Sequence, residues 1–228
     1  MNIVRTSAFA IARFVRRFGG HGREEMTPSG PARVDHWSER LTQRILSTIH
    51  NNSILLCGPP GSGKTAILLD LKDRLSAGRG TSTFFPVYVN LRSIPENVLF
   101  STVSGAVFDQ LRPEHLAGPE GTHTGYGHRD LAHDLRRIIR ALKKREGGRP
   151  RLVLLVDGID ELNHYTPRTT QRVRSLFMMS LDGALVMVAT AVEIDKHWVE
   201  EGSPWYNFFE EIRIAPVGVD PLSDASPG

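Results

Sequence analysis

Apolar positions in this chain fall into two alternating rhythms. Short unbroken runs, "SILLC" at 53–57 and "LVLLV" at 152–156, read as strands buried on both faces. "GALVMVATAVEID" (183–195), whose buried part ends in Thr190, reads the same way, "FFPVYVNLRSI" (84–94) has the β-branched and aromatic enrichment of a strand, and "FFEEIRIAP" (208–216) is the last. Between the strands the rhythm changes to a helical period. Ile67, Leu68, Leu71 and Leu75 make one stripe; Val98, Leu99, Val103, Val107 and Leu111 a second, over 96–111; Leu131, Leu135, Ile138, Ile139 and Leu142 a third, within 129–151. Strand and helix alternate throughout, which predicts an α/β fold: a three-layer αβα core around a mainly parallel five-stranded sheet, with a ligand at the carboxyl ends of its strands.

Composition sharpens this only in places. At 228 residues the chain accommodates one domain of roughly 150 to 200 residues with tails, and we expect a basic N-terminal extension over 1–30, a core over 31–217 and a tail over 218–228. The longest aliphatic run, 152–156, is far below the roughly 20 residues needed to cross a bilayer. The single cysteine, Cys57, excludes an internal disulfide framework and fits a reducing, cytoplasmic setting. The net charge of +3 is set by the leader, residues 1–23, where Arg5, Arg13, Arg16, Arg17 and Arg23 meet no acid, leaving the body nearly neutral. That leader is open to several readings, a poorly ordered or docking extension, organelle targeting, or lipid or nucleic-acid contact, but it lacks the apolar run of a secretory signal.

"RLVLLVDGIDEL" (151–162) drives a strand into three acids, Asp157, Asp160 and Glu161, and buried carboxylates are costly without a cation. The cation is implied upstream. In "GPPGSGKT", Gly58, Gly63, Lys64 and Thr65 fill every fixed position of the phosphate-binding pattern G-x-x-x-x-G-K-[ST], and the pattern sits between a strand and a helix as its chemistry requires. Gly58, Gly61 and Gly63 let the backbone curl so that successive N–H groups converge on phosphate oxygens at a helix N-terminus. Pro59, Pro60, Ser62 and Ala66 complete the candidate cradle. Lys64 supplies a mobile charge for the β and γ phosphates, and Thr65 with Asp157 would hold Mg²⁺. The ligand expected is Mg²⁺ with ATP, since the guanine-specifying Asn-Lys-x-Asp tetrapeptide is not found.

Those two motifs carry a resemblance. "GPPGSGKT" is similar to the Walker A loop of AAA-type P-loop ATPases, and "LVLLVDGIDEL" resembles the Walker B strand of the STAND class, which includes NACHT proteins; origin-recognition-type initiators are close relatives. Gly158 after the aspartate departs from plain AAA members, which carry Asp-Glu directly. "GREE" (22–25) resembles the Gly-Arg-Glu box that precedes a linking helix in these families. The resemblance extends over 20–222 and implies an ATPase core coupling Mg-ATP binding and hydrolysis to a conformational or assembly change, with a protein partner or further copies of itself. Glu161 or Asp160 is the candidate for orienting the attacking water, with helix capping the other reading for Asp160, and Thr190 resembles the polar sensor of the γ-phosphate.

Departures point the other way. Ala191 and Val192 stand where NACHT-like proteins often place an arginine, and between Thr190 and Ile212 the only bases are Lys196 and His197. A transition-state arginine is worth about 10³ to 10⁵ in rate, so slow turnover or help from a partner is expected. "PVGVDPLSD" looks like the phrase that introduces the family's helical lid, and the chain ends soon after it, so a bare core, a fragment or a lidless variant is expected. A nucleotide-dependent switch or scaffold with little hydrolysis is thus the second reading, and a small-molecule kinase the third. Within 129–151, Arg136, Arg137, Arg140, Lys143 and Lys144 lie opposite the apolar stripe, a solvated face or one that tracks nucleic acid. His123, His128 and His133 lack zinc-site spacing and read as part of, or beside, a mobile glycine-rich loop.

Overall fold

The computed structural model describes residues 31–47, 53–77, 84–111, 125–146, 148–178, 183–193, 195–203 and 205–216. The leader with its 22–25 box, His123 and the 218–228 tail lie outside the described residues. In chain order the elements are α1 (Pro31–Ser47), β1 (Ser53–Cys57), α2 (Lys64–Ala77), β2 (Phe84–Asn90), α3 (Leu99–Leu111), α4 (His128–Glu146), β3 (Arg151–Asp157), α5 (Pro167–Met178), β4 (Leu185–Ala191), α6 (Lys196–Val199) and β5 (Phe209–Arg213). One-turn 3₁₀ segments precede α3 (Glu96–Val98) and follow β3 (Ile159–His164).

The five strands form one sheet in the order β2-β3-β4-β1-β5, and every pair is parallel. The pleat explains the unbroken apolar runs. Leu152, Leu154 and Val156 of β3 face a core made with α3, α4 and α5, whereas Val153 and Leu155 face a second core made with α1 and α2. A sheet covered on both faces needs apolar residues at both parities, so its strands do not alternate. This is the expected three-layer arrangement. Connections between parallel strands also return every strand in the same direction, so the carboxyl ends of all five collect at one edge.

The helices follow their stripes with instructive shifts. Ile67, Leu68, Leu71 and Leu75 of α2 are buried as expected. The stripe of α3 is rotated: Leu99, Phe100, Ser104, Val107 and Phe108 face inward, while Val98, Val103 and Leu111 sit half-buried at the rim. On α4, Ile139 is half-buried and Asp134 occupies the inner face instead. Asp134 is fully buried and satisfied there. Tyr126 Oη donates to it at 2.6 Å, Ser104 Oγ at 3.2 Å and Arg137 at 2.9 Å. Arg137 is therefore turned toward the core, which corrects its placement on the outer basic face; Arg140, Lys143 and Lys144 remain exposed. His128 opens α4 and His133 lies exposed along it. Strand β2 stops at Asn90 rather than continuing to 94, because the chain turns there. Among the described residues no helix is long and apolar enough to cross a membrane.

Candidate functional site

The link from β1 to α2 is a tight loop with two glycines in the left-handed region, Gly61 at φ 78° and Gly63 at φ 88°, where side chains are strained. Gly58 is required for a different reason. A Cβ there would lie 2.3 Å from the carbonyl oxygen of Ile214, just after β5. Ile214 N also donates to Cys57 O at 2.7 Å, and Gly58 N to Ala191 O at 3.3 Å, so the start of the loop is fixed to both neighbouring strands. The Lys64 ammonium is folded over its own loop, donating to Gly58 O at 2.6 Å, Pro59 O at 2.9 Å and Ser62 Oγ at 3.2 Å. Burial, and then the charge of Arg92, lower its pKa, while Asp157 and Asp160 pull it back up.

Thr65, one residue into α2, donates its hydroxyl to Asp157 Oδ2 at 2.8 Å. Asp157 ends β3 and is 1% exposed. Its carboxylate is gripped from three further directions. Tyr88 Oη of β2 donates to Oδ2 at 3.0 Å, Thr190 Oγ1 of β4 donates to Oδ1, and an Arg92 guanidinium nitrogen lies 3.5 Å from Oδ1. Burial pushes the Asp157 pKa up, but the hydroxyls of Thr190, Thr65 and Tyr88 and the charge of Arg92 outweigh it and hold the group below the usual carboxylate range. Tyr88 is affected in turn: burial and the neighbouring carboxylate raise its phenol to about 12. A hydroxyl and an ionised carboxylate this close are hard oxygen donors of the kind magnesium takes, with remaining positions for water and phosphate, so the residues present fit that ion.

Thr190 is fully buried, and its oxygen also accepts from Gly158 N at 3.0 Å. The two acids of the "DE" pair diverge. Asp160 Oδ2 accepts from Val192 N at 3.2 Å, beyond the end of β4, and Glu161 Oε2 accepts from Ser93 N at 3.2 Å, beyond the end of β2. The 3₁₀ turn that holds them is capped by Gly158 with φ 75° and without a side-chain bond, so Asp160 is not a helix cap as one reading had it. Of the residues singled out from sequence, Lys64, Thr65, Asp157 and Thr190 gather at the carboxyl edge, and Asp160 and Glu161 tie that edge together on either side. Tyr88 and Arg92 were missed. Their signal was register: Asn90 pairs with Asp157, so a polar residue near the end of β2 lies beside that carboxylate.

A model of the family described as "AAA ATPase domain" matches residues 22–185. No curated protein matches the sequence. Among solved structures, the ORC1 protein of Aeropyrum pernix in complex with DNA is similar with TM-score 0.53 and 20% identity over 84% of this chain and 47% of that one. A Walker-type ATPase of Pyrococcus abyssi gives TM-score 0.57 and 15% identity over 85% and 55%. The Drosophila ORC bound to DNA gives TM-score 0.54 and 17% identity over 78% and 41%. The chain spans about half the length of the solved chains it matches, and at these identities the likeness concerns the fold. With the family pattern covering most of its length, the chain belongs to the AAA ATPase domain family of P-loop ATPases.

Proposed function

We propose that this ATP-binding ATPase core takes Mg-ATP at residues 58–66 and couples its binding and slow hydrolysis to a conformational or assembly change. The observation that carries the reading is the approach of Thr65 Oγ1 to Asp157 Oδ2, 2.8 Å, at the N-terminus of α2 beside the Lys64 ammonium. In this reading the loop amides and the helix dipole receive the phosphates. Lys64 exchanges the carbonyls of Gly58 and Pro59 for β and γ phosphate oxygens, whose charge restores the proton affinity that burial weakened. Thr65 and Asp157 hold magnesium, which when bound withdraws charge from the phosphate oxygens. Thr190 is a positioning residue: its buried hydroxyl fixes the Asp157 carboxylate and registers the terminal phosphate through it. Glu161 or Asp160 orients water once released from its amide partner. Gly158, directly after the metal acid, aligns the chain with the STAND, NACHT-like branch.

A second reading, a nucleotide-dependent switch or scaffold with little hydrolysis, is favoured by one specific observation: both water-orienting candidates are engaged by backbone amides, those of Val192 and Ser93. Phosphate release by wild type, Lys64→Ala and Glu161→Ala separates the two. The ATPase reading expects wild-type release well above Lys64→Ala and a loss of about 10² or more in Glu161→Ala; nucleotide binding with release no faster than Lys64→Ala selects the switch. A protein partner or a second copy of the chain is the proposed recipient of the change. The exposed Arg140, Lys143 and Lys144 suit a phosphodiester backbone, the ligand class present in the ORC complexes, and DNA binding that weakens steeply with salt and is reduced in a triple alanine variant would support that contact.

A further inference from the structure

Strand β2 does not run out freely after Asn90. Leu91 N extends the ladder by donating to Asp157 O at 2.9 Å, Arg92 N donates to Asn90 Oδ1 at 3.0 Å, and Ile94 N closes a turn on Leu91 O at 3.0 Å. Ser93 takes a positive φ of 60° and donates its amide to Glu161, and Tyr165 Oη donates to Ile94 O. The turn is thus fastened to the 157–165 segment at three points. Fastening of this kind has a product: it aims the Arg92 side chain across the Thr65–Asp157 pair. The guanidinium lies 3.5 Å from Asp157 Oδ1, an ion pair longer than a direct N–H···O bond, and the side chain is 57% exposed. It is near the carboxylate without being locked to it.

Gly158 makes room for this arrangement. A Cβ at 158 would lie 2.7 Å from Arg92 Cγ and 3.3 Å from its Nε, quite apart from the φ of 75°. Arg92 and Thr65 thus meet at one carboxylate, that of Asp157, beside the N-terminus of α2 and its Lys64. A planar guanidinium held at the mouth of a phosphate loop suits phosphate oxygens in particular.

We propose that Arg92 is the arginine of the terminal phosphate, supplied within the same chain from the end of β2, with Gly158 as the residue that admits it. This rests on the reading of 58–66 as the triphosphate cradle. With a divalent cation on Asp157 the carboxylate no longer needs the guanidinium, and the exposed side chain is free to turn to the γ-phosphate oxygens. The site then holds in cis the charge that the stretch between Thr190 and Ile212 lacks.

The test uses the full chain as wild type, Arg92→Ala, Arg92→Lys and Gly158→Ala, each checked for folding by circular dichroism, with calorimetric titration of Mg-ADP and of a non-hydrolysable Mg-ATP analogue. Arg92→Ala is expected to weaken the triphosphate analogue by about tenfold to a hundredfold while leaving ADP within about twofold, with Arg92→Lys intermediate. Gly158→Ala, if folded, is expected to show the same selective loss. An unchanged ratio of triphosphate to diphosphate affinity in Arg92→Ala, with wild type binding normally, overturns this inference alone. Absence of nucleotide binding by wild type overturns the cradle reading and this inference with it.

Discussion

Asp157 carries its charge inside the protein, and its neighbours make that tolerable. Three hydroxyls and one guanidinium replace the water it gave up, and the balance favours the ionised form. Thr190→Val removes one donor from Asp157 and one acceptor from Gly158 N, so a loss of about 1–3 kcal/mol is expected in chemical denaturation at neutral pH. The pH dependence has a definite sign. Because the folded pKa lies below the ordinary value near about 4, the stabilisation is present above that value and is lost as pH falls through the folded one. The gap between wild type and Thr190→Val is therefore expected to narrow as the medium is acidified below about pH 4. A gap that stays constant to lower pH would show that the hydroxyl is not serving a carboxylate. At this scale the sequence pointed to Lys64 and Thr65 through a fixed local spacing and to Asp157 through the acids that end an apolar strand, and the structure brings the three together. Tyr88 and Arg92 were not legible, since they reach Asp157 through a strand pairing whose register no local pattern states.

Among elements, the phosphate loop shows two kinds of glycine that should fail differently. At Gly63 nothing lies within 4 Å of an added Cβ, so Gly63→Ala is expected to cost only its backbone strain, about 1–3 kcal/mol, with the neighbouring strands undisturbed. At Gly58 the obstacle is the Ile214 carbonyl, and the segment behind it is held by Arg33, which donates to the carbonyls of Ala215 and Pro216. Gly58→Ala must therefore displace the exit of β5. Amide hydrogen exchange should show faster exchange at Ile214 in Gly58→Ala and not in Gly63→Ala. A second element-scale prediction concerns α4: Asp134→Ala takes the buried acceptor from the hydroxyls of Tyr126 and Ser104 and the acid from the Arg137 ion pair, and a loss of about 1–3 kcal/mol is expected in urea denaturation. Helices α2 and α4 were legible because their buried faces are mostly apolar. Helix α5 was not, because its buried positions include Thr169 and Thr170 along with Leu176. The edge strand β5, "FEEIR", is half-buried with a weak pattern, and its limits were correspondingly loose.

For the whole molecule, the sheet order was inferable only as a class: alternation of strand and helix implies parallel strands, but the placing of β1 between β4 and β5 depends on long-range packing. That order brings the ends of β1, β3 and β4 to one edge, and a ligand bridging them should brace the entire fold. Saturating Mg-ATP at about a hundred times its dissociation constant is expected to stabilise wild type by about 2.7 kcal/mol, seen as a higher melting temperature, and to leave Lys64→Ala unmoved. Strand β4 sits between β1 and β3, so the strand that leads into the Thr65 helix and the strand bearing Asp157 are joined in the sheet only through it, although Thr65 itself reaches Asp157 directly. A nascent chain halted after Met178 already contains both residues, yet has nothing to seat between the strands that carry them. In the proposed reading nucleotide capture therefore waits for β4, which follows both residues in the chain, to take its place between β1 and β3.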